Sequence, residues 1–142
     1  VHSKHPQSLI NMQLQVGKPY LLRSGNLSNQ FDSKQSYHAV VGIGFPQRFY
    51  QTLQNLGIEQ FQAHEFPDHH EYKLSDLSFQ NQNAIITTEK DAVRLVKYTE
   101  ELHALPLYVL PIKPNILFEA ENIFNELVKN YVAQFYKKIN GN

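Results

Sequence analysis

The pattern of apolar and polar positions changes character twice along the chain, and those changes outline its elements. From Asn11 to Val16 the two classes alternate, with Met12, Leu14 and Val16 in phase, which predicts a half-buried strand. Gly17-Lys18-Pro19 is a turn signal, and Tyr20-Leu21-Leu22 follows as a second short strand, so a β-hairpin is expected here. A polar run from Arg23 to Gln35, rich in Ser, Asn and Gln, reads as a loop. A two-stranded hairpin is marginal on its own in water, so this one is expected to lean on other protein.

From Tyr37 the pattern becomes a repeat of strand, turn and helix. Ala39-Val40-Val41-Gly42-Ile43-Gly44 is a continuous apolar run, as in a strand covered on both faces. Pro46 suits the first turn of a helix. Phe49, Leu53 and Leu56 then recur at helical spacing, and Gly57 is placed to end the helix. Residues 58–66 predict a second strand, which delivers the chain to Pro67-Asp68-His69-His70. A short helix is expected near Leu74–Phe79, and a third strand at Ala84–Thr87. A helix then opens at Thr88-Glu89-Lys90-Asp91, and a fourth strand, Leu107–Leu110, is closed by Pro111 and Pro114.

The last helix carries Ala120, Ile123, Phe124, Leu127, Val128, Tyr131, Phe135 and Ile139 on one stripe, which is expected to pack on a core. Glu119 and Glu121 at its start and Lys137 and Lys138 at its end suit the helix dipole, and Gly141 is expected to end it. Alternating strands and helices predict an α/β fold: a Rossmann-like, mostly parallel sheet with flanking helices, preceded by a β-hairpin linker. The expected division is 1–36 for linker and loop and 37–142 for the α/β lobe. Such sheets bind ligands beyond the carboxyl ends of their strands, where loops 42–46, 67–70 and 87–91 are all expected to lie.

Composition narrows the functional classes. The 142 residues include 13 Lys+Arg and 13 Asp+Glu, so the formal net charge is zero, without the basic footprint of a nucleic-acid binder. The absence of cysteine excludes disulfide frameworks and Cys-based zinc sites. No apolar run approaches the roughly 20 residues of a membrane span, and residues 1–6 do not resemble a signal peptide. A valine at position 1 reads as processing or truncation. The phosphate loop G-x-x-x-x-G-K-[ST], H-E-x-x-H and G-x-S-x-G are all missing from these residues.

Three constellations carry candidate chemistry. In Asp68-His69-His70 a carboxylate adjoins two imidazoles, a set able to bind a divalent metal or to orient a histidine for acid–base work. The plainer reading is a surface loop in which Asp68 caps a turn. Thr88-x-x-Asp91 fits a helix capping box; Lys90 adds a cation beside the helix start, while Glu89 and Asp91 would repel a phosphate. Gly42-x-Gly44 at a strand-to-helix turn can let backbone approach a phosphate, or can simply serve a tight turn, since it lacks the third glycine of a dinucleotide fingerprint. Arg48 lies in the first turn of the helix that follows. His38 and His64 read as buried, hydrogen-bonded strand residues, and Tyr131, Phe135 and Tyr136 as core. His2, His5 and His103 are assigned no role.

In order and spacing, three segments together resemble the C-terminal half of the tetraacyldisaccharide 4'-kinase (lipid A 4'-kinase) family. They are His38-Ala39-Val40-Val41-Gly42-Ile43-Gly44-Phe45-Pro46-Gln47-Arg48-Phe49, Phe66-Pro67-Asp68-His69-His70-x-Tyr72, and Thr87-Thr88-Glu89-Lys90-Asp91-Ala92-Val93-Arg94. The resemblance is firm over residues 37–112. Phe45 departs from it, standing where a small polar residue such as asparagine is expected. The resemblance implies an enzyme that uses ATP and Mg²⁺ to phosphorylate the 4'-hydroxyl of a lipid A disaccharide-1-phosphate precursor at the cytoplasmic face of the bacterial inner membrane. It implies two lobes: an absent N-terminal lobe with the phosphate loop, the catalytic aspartate and the membrane contact, and a smaller C-terminal lobe, joined by a β-ribbon, that closes over the nucleotide. On this view Asp68, His69 and His70 support the nucleotide and Mg²⁺ site, with His69 or His70 acting on the metal directly or indirectly. Gly42, Gly44, Arg48, Thr88, Glu89, Lys90 and Asp91 then border the cleft. The fragment is expected to be soluble and inactive alone, with no nucleic-acid partner. Two other readings compete. One is a metal-dependent phosphoesterase of the Asp-His-His type, whose usual Asp-x-Asp is missing here. The other is a non-catalytic α/β interaction module.

Overall fold

The computed structural model describes residues 10–22, 31–102, 105–117 and 120–140. His2, His5, most of the polar run (23–30), His103, Glu119 and Gly141 lie outside them. The chain divides into two compact units, Val16–Ile112 and Val1–Gln15 with Lys113–Asn142.

The larger unit is built on a five-stranded sheet of order β2-β6-β5-β3-β4, formed by β2 (Tyr20–Leu21), β3 (Tyr37–Val41), β4 (Phe61–Glu65), β5 (Ala84–Thr88) and β6 (Leu107–Leu110). Four neighbouring strands run parallel, and β2 is an antiparallel edge. Every residue of β3 is buried, as its unbroken apolar run demands of a central strand covered on both faces. Edge strand β4 is mostly exposed, which explains why His64 and Glu65 interrupt its apolar pattern.

Helix α1 (Pro46–Asn55) begins with proline in its first turn and buries Phe49 and Leu53. It ends in a Schellman motif: the Gly57 N–H donates to Gln54 O at 2.9 Å and the Ile58 N–H to Leu53 O at 3.0 Å. Gly57 has φ +79°, a conformation glycine adopts without a Cβ penalty. Phe49, Leu53 and Ile58 join Tyr37, Ala39, Val41 and Ile86 in one core, on one face of the sheet. On the other face α2 (Glu89–Leu95) contributes Ala92 and Leu95, and a 3₁₀ turn at Leu74–Leu77 contributes Leu77, to a second core with Val40, Ile85 and Val109. The expected doubly covered, mostly parallel sheet is thus present.

Strand β3 lies between β4 and β5, so the chain leaves β3 to one side through α1 and later crosses to its other side. Sheets that change winding direction in this way open a crevice at the carboxyl edge of the strands. The registers Val41↔Glu65, Val40↔Thr87 and Thr88↔Leu110 align those strand ends. Loops 42–46 and 66–70 and the start of α2 therefore share one edge, as expected.

The hairpin between β1 (Met12–Val16) and β2 does not form. Strand β1 pairs with β7 (Ile112–Ile116), a strand that the two prolines concealed, while β2 pairs with β6. Backbone bonds from Gly17 N–H to Pro111 O and from Leu117 N–H to Asn11 O, both 2.9 Å, show β1 and β7 running antiparallel. The glycine read as a turn signal instead serves close packing: a Cβ on Gly17 would lie 2.8 Å from Pro111 Cγ. Pro114 is tolerated because a two-stranded ribbon leaves each strand an unpaired side.

The smaller unit also holds α3 (Glu121–Asn140), close to its expected bounds. Its apolar stripe is not a core, which corrects the packing expected of Tyr131, Phe135 and Tyr136. Ile123, Phe124, Leu127, Val128, Tyr131, Phe135, Tyr136 and Ile139 are all exposed, Tyr131 at 71%. No helix among the described residues is long and apolar enough to cross a membrane.

Candidate functional site

The floor of the carboxyl edge is Asp91, which is fully buried in the first turn of α2. Its Oδ2 accepts from the Gly42 backbone N–H at 3.0 Å and from the Thr88 hydroxyl at 2.9 Å. Thr88 Oγ1 in turn accepts from the Asp91 N–H at 3.1 Å. Threonine and aspartate thus close the start of α2 on themselves, and the plainer capping reading of Thr88-x-x-Asp91 holds. The same carboxylate ties the β3–α1 turn to α2.

Gly42 is required sterically. A Cβ there would lie 2.8 Å from Tyr72 Oη, 3.1 Å from Asp91 Oδ1 and 3.2 Å from Pro67 O. Three polar atoms, two from the loop after β4 and one from α2, converge on this one backbone position. Tyr72 Oη, Asp91 Oδ1 and Arg94 Nη1 are buried without a hydrogen-bond partner among the described residues. Burial, and after it the nearby Asp91 charge, push the Tyr72 phenol well above its ordinary pKa, so it remains protonated. Gly44 differs, because a Cβ there would meet nothing within 4 Å. Phe45 beside it is exposed, with the Arg48 guanidinium 5.7 Å from its ring centre.

Asp68, His69 and His70 serve three separate partners. Asp68 Oδ1 pairs with the Lys90 ammonium and accepts from the His69 N–H at 3.0 Å. The Lys90 bond, followed by His69, holds the Asp68 carboxyl below its ordinary pKa. His70 faces inward: its ring stacks on Phe66 at 4.7 Å, and its Nε2 lies 2.9 Å from Asp76 Oδ2. That bond and the Lys73 N–H depress the Asp76 pKa. His69 faces outward, its side chain 75% exposed. Its backbone is left-handed, φ 62°, a conformation uncommon for residues other than glycine and enriched at sites of function. His69 Nδ1 lies 3.1 Å from Arg94 Nη2, and its Nε2 lies 3.7 Å from Asp68 Oδ2.

The edge therefore gathers Gly42, Asp68, His69, Lys90 and Asp91 into one network. Glu89 turns away from it, accepting from the Ile112 N–H at 3.2 Å. Among the described residues no group of three or more His, Cys, Asp or Glu could hold a metal ion. Arg94, Tyr72 and Asp76 join the edge without being among the residues that the sequence marks as candidates. Arg94 stands at the end of the third quoted segment, one turn beyond Lys90, and that spacing is the signal that could have marked it.

His38 and His64 form a separate cluster within the sheet, as hydrogen-bonded strand residues. His38 Nδ1 lies 3.0 Å from His64 Nε2, and His38 Nε2 lies 2.6 Å from Asn81 Oδ1, with Phe79 stacked 3.9 Å from the His38 ring. Burial, then His38, lowers the His64 pKa.

The chain is similar to known proteins. The family model described as tetraacyldisaccharide-1-P 4'-kinase matches residues 2–133. A tetraacyldisaccharide 4'-kinase from Halorhodospira halophila is 47% identical over 76 residues, which are 52% of this chain and 23% of that protein. One from Dechloromonas aromatica is 35% identical over 105 residues, 70% of this chain and 30% of that protein. The fold resembles a crystal structure of LpxK from Aquifex aeolicus in complex with ATP, with a TM-score of 0.57 and 22% identity, covering 84% of this chain and 35% of that one. The chain thus spans about a third or less of the relatives it matches.

Proposed function

The chain belongs to the tetraacyldisaccharide-1-P 4'-kinase family, and on that premise we propose that it is the C-terminal lobe of an ATP-dependent kinase acting on the 4'-hydroxyl of a lipid A disaccharide-1-phosphate precursor. The observation that carries this reading is the family match over residues 2–133. The phosphoesterase and interaction-module readings gain no support from the comparisons.

Phosphoryl transfer depends chiefly on positioning and on neutralising charge, so a lobe can contribute to it without holding the base. ATP supplies the transferred phosphoryl group. Toward it this chain offers the outward imidazole of His69 and the cations of Lys90 and Arg48. The Gln47 and Arg48 amides add to these, because the first turn of a helix leaves its N–H groups without intrahelical acceptors and no side chain caps α1.

Mg²⁺ favours about six oxygen ligands in near-octahedral geometry. Here Asp68 is engaged by Lys90, His69 Nδ1 lies 3.1 Å from the cationic Arg94 Nη2, and among the described residues no three-ligand group is present. These residues do not fit a Mg²⁺ site of their own.

We assign the exposed stripe of α3 to the remainder of the longer protein, because the relatives extend well beyond the matched region. Association with the cytoplasmic face of the inner membrane would come through that remainder. Full-length protein, assayed with labelled ATP and tetraacyldisaccharide 1-phosphate, is expected to form the 4'-phosphate in a Mg²⁺-dependent reaction. The 142-residue chain alone is expected to form none; robust turnover by it would overturn the lobe assignment.

A further inference from the structure

We propose that Phe45 and Arg48 form a contact for the nucleotide, the exposed Phe45 ring stacking on the purine base and the Arg48 guanidinium meeting a phosphate oxygen. The inference deepens the reading of this chain as a kinase lobe and rests on it. Its basis is a residue that costs the fold stability where it stands. Phe45 is the N-cap of α1, a position that favours Ser, Thr, Asp or Asn because their side chains accept from the first amides of the helix. Phenylalanine cannot do so, and no side chain caps α1. The same ring is 66% exposed and belongs to neither core. One residue thus breaks two local rules, and it stands at the carboxyl edge of β3, where the winding of the sheet reverses. Departures of this kind concentrate at functional sites, and that edge is where such sheets take ligands.

The surroundings of the ring favour a nucleotide. The Arg48 guanidinium lies 5.7 Å from the ring centre, as a cation drawn to an aromatic ring does. Arg48 is exposed and takes part in none of the ion pairs among the described residues, so its donors are available to an anion. Gly44, next to Phe45, borders open space. The ring therefore has room beside it for a flat group, and a cation three residues on for a charged one. A nucleotide joins those two groups in one molecule, with the base stacking on the ring and a phosphate pairing with the guanidinium. The lipid substrate also carries a phosphate, but its acyl chains call for a continuous apolar track. Phe45 is the exposed large apolar side chain of this turn, since Ile43 packs against the first core. A single ring suits a base better than a chain.

Initial rates of the full-length enzyme, with ATP and tetraacyldisaccharide 1-phosphate varied in turn, test this. Phe45→Asn is expected to raise KM for ATP about fivefold or more, the scale of one lost base–aromatic stack. Its kcat should stay within about twofold, because the contact is made equally in ground and transition states. The variant also supplies an N-cap residue, so its thermal midpoint should not fall. Phe45→Trp should keep the wild-type KM and Phe45→Leu should not, because leucine is apolar without a π-face. A rise in KM for the lipid alone, or a leucine that serves as well as phenylalanine, would overturn the base contact in favour of an acyl chain. An unchanged KM for ATP in a variant that still turns over would overturn this inference and leave the kinase reading standing. Wild-type enzyme without ATP-dependent 4'-phosphorylation would bring down both. Displacement of trinitrophenyl-ATP gives a readout independent of turnover. Phe45→Asn should weaken competition by ATP and leave tripolyphosphate unchanged, whereas Arg48→Met should weaken both. Equal losses for the two competitors in Phe45→Asn would contradict stacking on the base.

Discussion

Around Gly42 the packing leaves no room for a side chain, and the consequence can be measured. Gly42→Ala places a methyl group against Tyr72 Oη, Asp91 Oδ1 and Pro67 O, two of them buried polar atoms and one a backbone carbonyl. The variant is expected to lose about 1–3 kcal/mol of stability in urea unfolding, the range for overpacking a closed site. An unchanged midpoint would mean that the loop after β4 and α2 can move away from the β3–α1 turn without cost. The glycine itself was legible from its place between a strand and a helix, but its reason was not. A Gly-x-Gly pattern suggests backbone approach to a ligand, whereas Gly42 is filled by the protein's own tyrosine and aspartate. The division of labour between His69 and His70 was equally hidden. Adjacent residues have opposite fates because the backbone turns left-handed at His69, and nothing in the pair of letters specifies that.

Among elements, those with a strong local pattern were the readable ones: buried strand β3, helix α1 with its proline start and glycine stop, and the capped start of α2. The β1–β7 ribbon was not readable, because pairing between segments about a hundred residues apart leaves no local trace. A turn signal beside β1 suggested the nearer partner instead. Strands β3 and β4 carry a pH dependence of their own through His38 and His64. The folded pKa of His64 lies below its ordinary 6.5, so the neutral form is the one the fold favours. Its contribution to stability is full above pH about 6.5 and is lost as pH falls from there through the folded pKa. Replacing it with glutamine, which can still donate to His38 Nδ1, is expected to flatten that acid limb of the stability curve. An unchanged slope below pH 6.5 would show that the histidine pair does not govern it.

For the whole molecule, the exposed apolar stripe of α3 and the sparse chemistry of the sheet edge belong together. Both suit the proposal that this chain is a lobe contributing positioning to a reaction completed by other protein. Periodicity identified α3 as a helix with an apolar face, but it cannot say what covers that face, since a helix facing its own core and one facing another lobe have the same pattern. Likewise the three loops could be placed on one edge from strand order alone, while the links from Asp91 through Arg94 to His69 needed coordinates. The most direct test of the account is kcat for ATP-dependent 4'-phosphorylation by full-length His69→Ala at saturating ATP and Mg²⁺, with the thermal midpoint measured alongside. The expected result is a fall on the order of tenfold to a hundredfold, in keeping with loss of an imidazole positioned at the site of transfer, with the midpoint unchanged. A kcat indistinguishable from wild type would contradict the account.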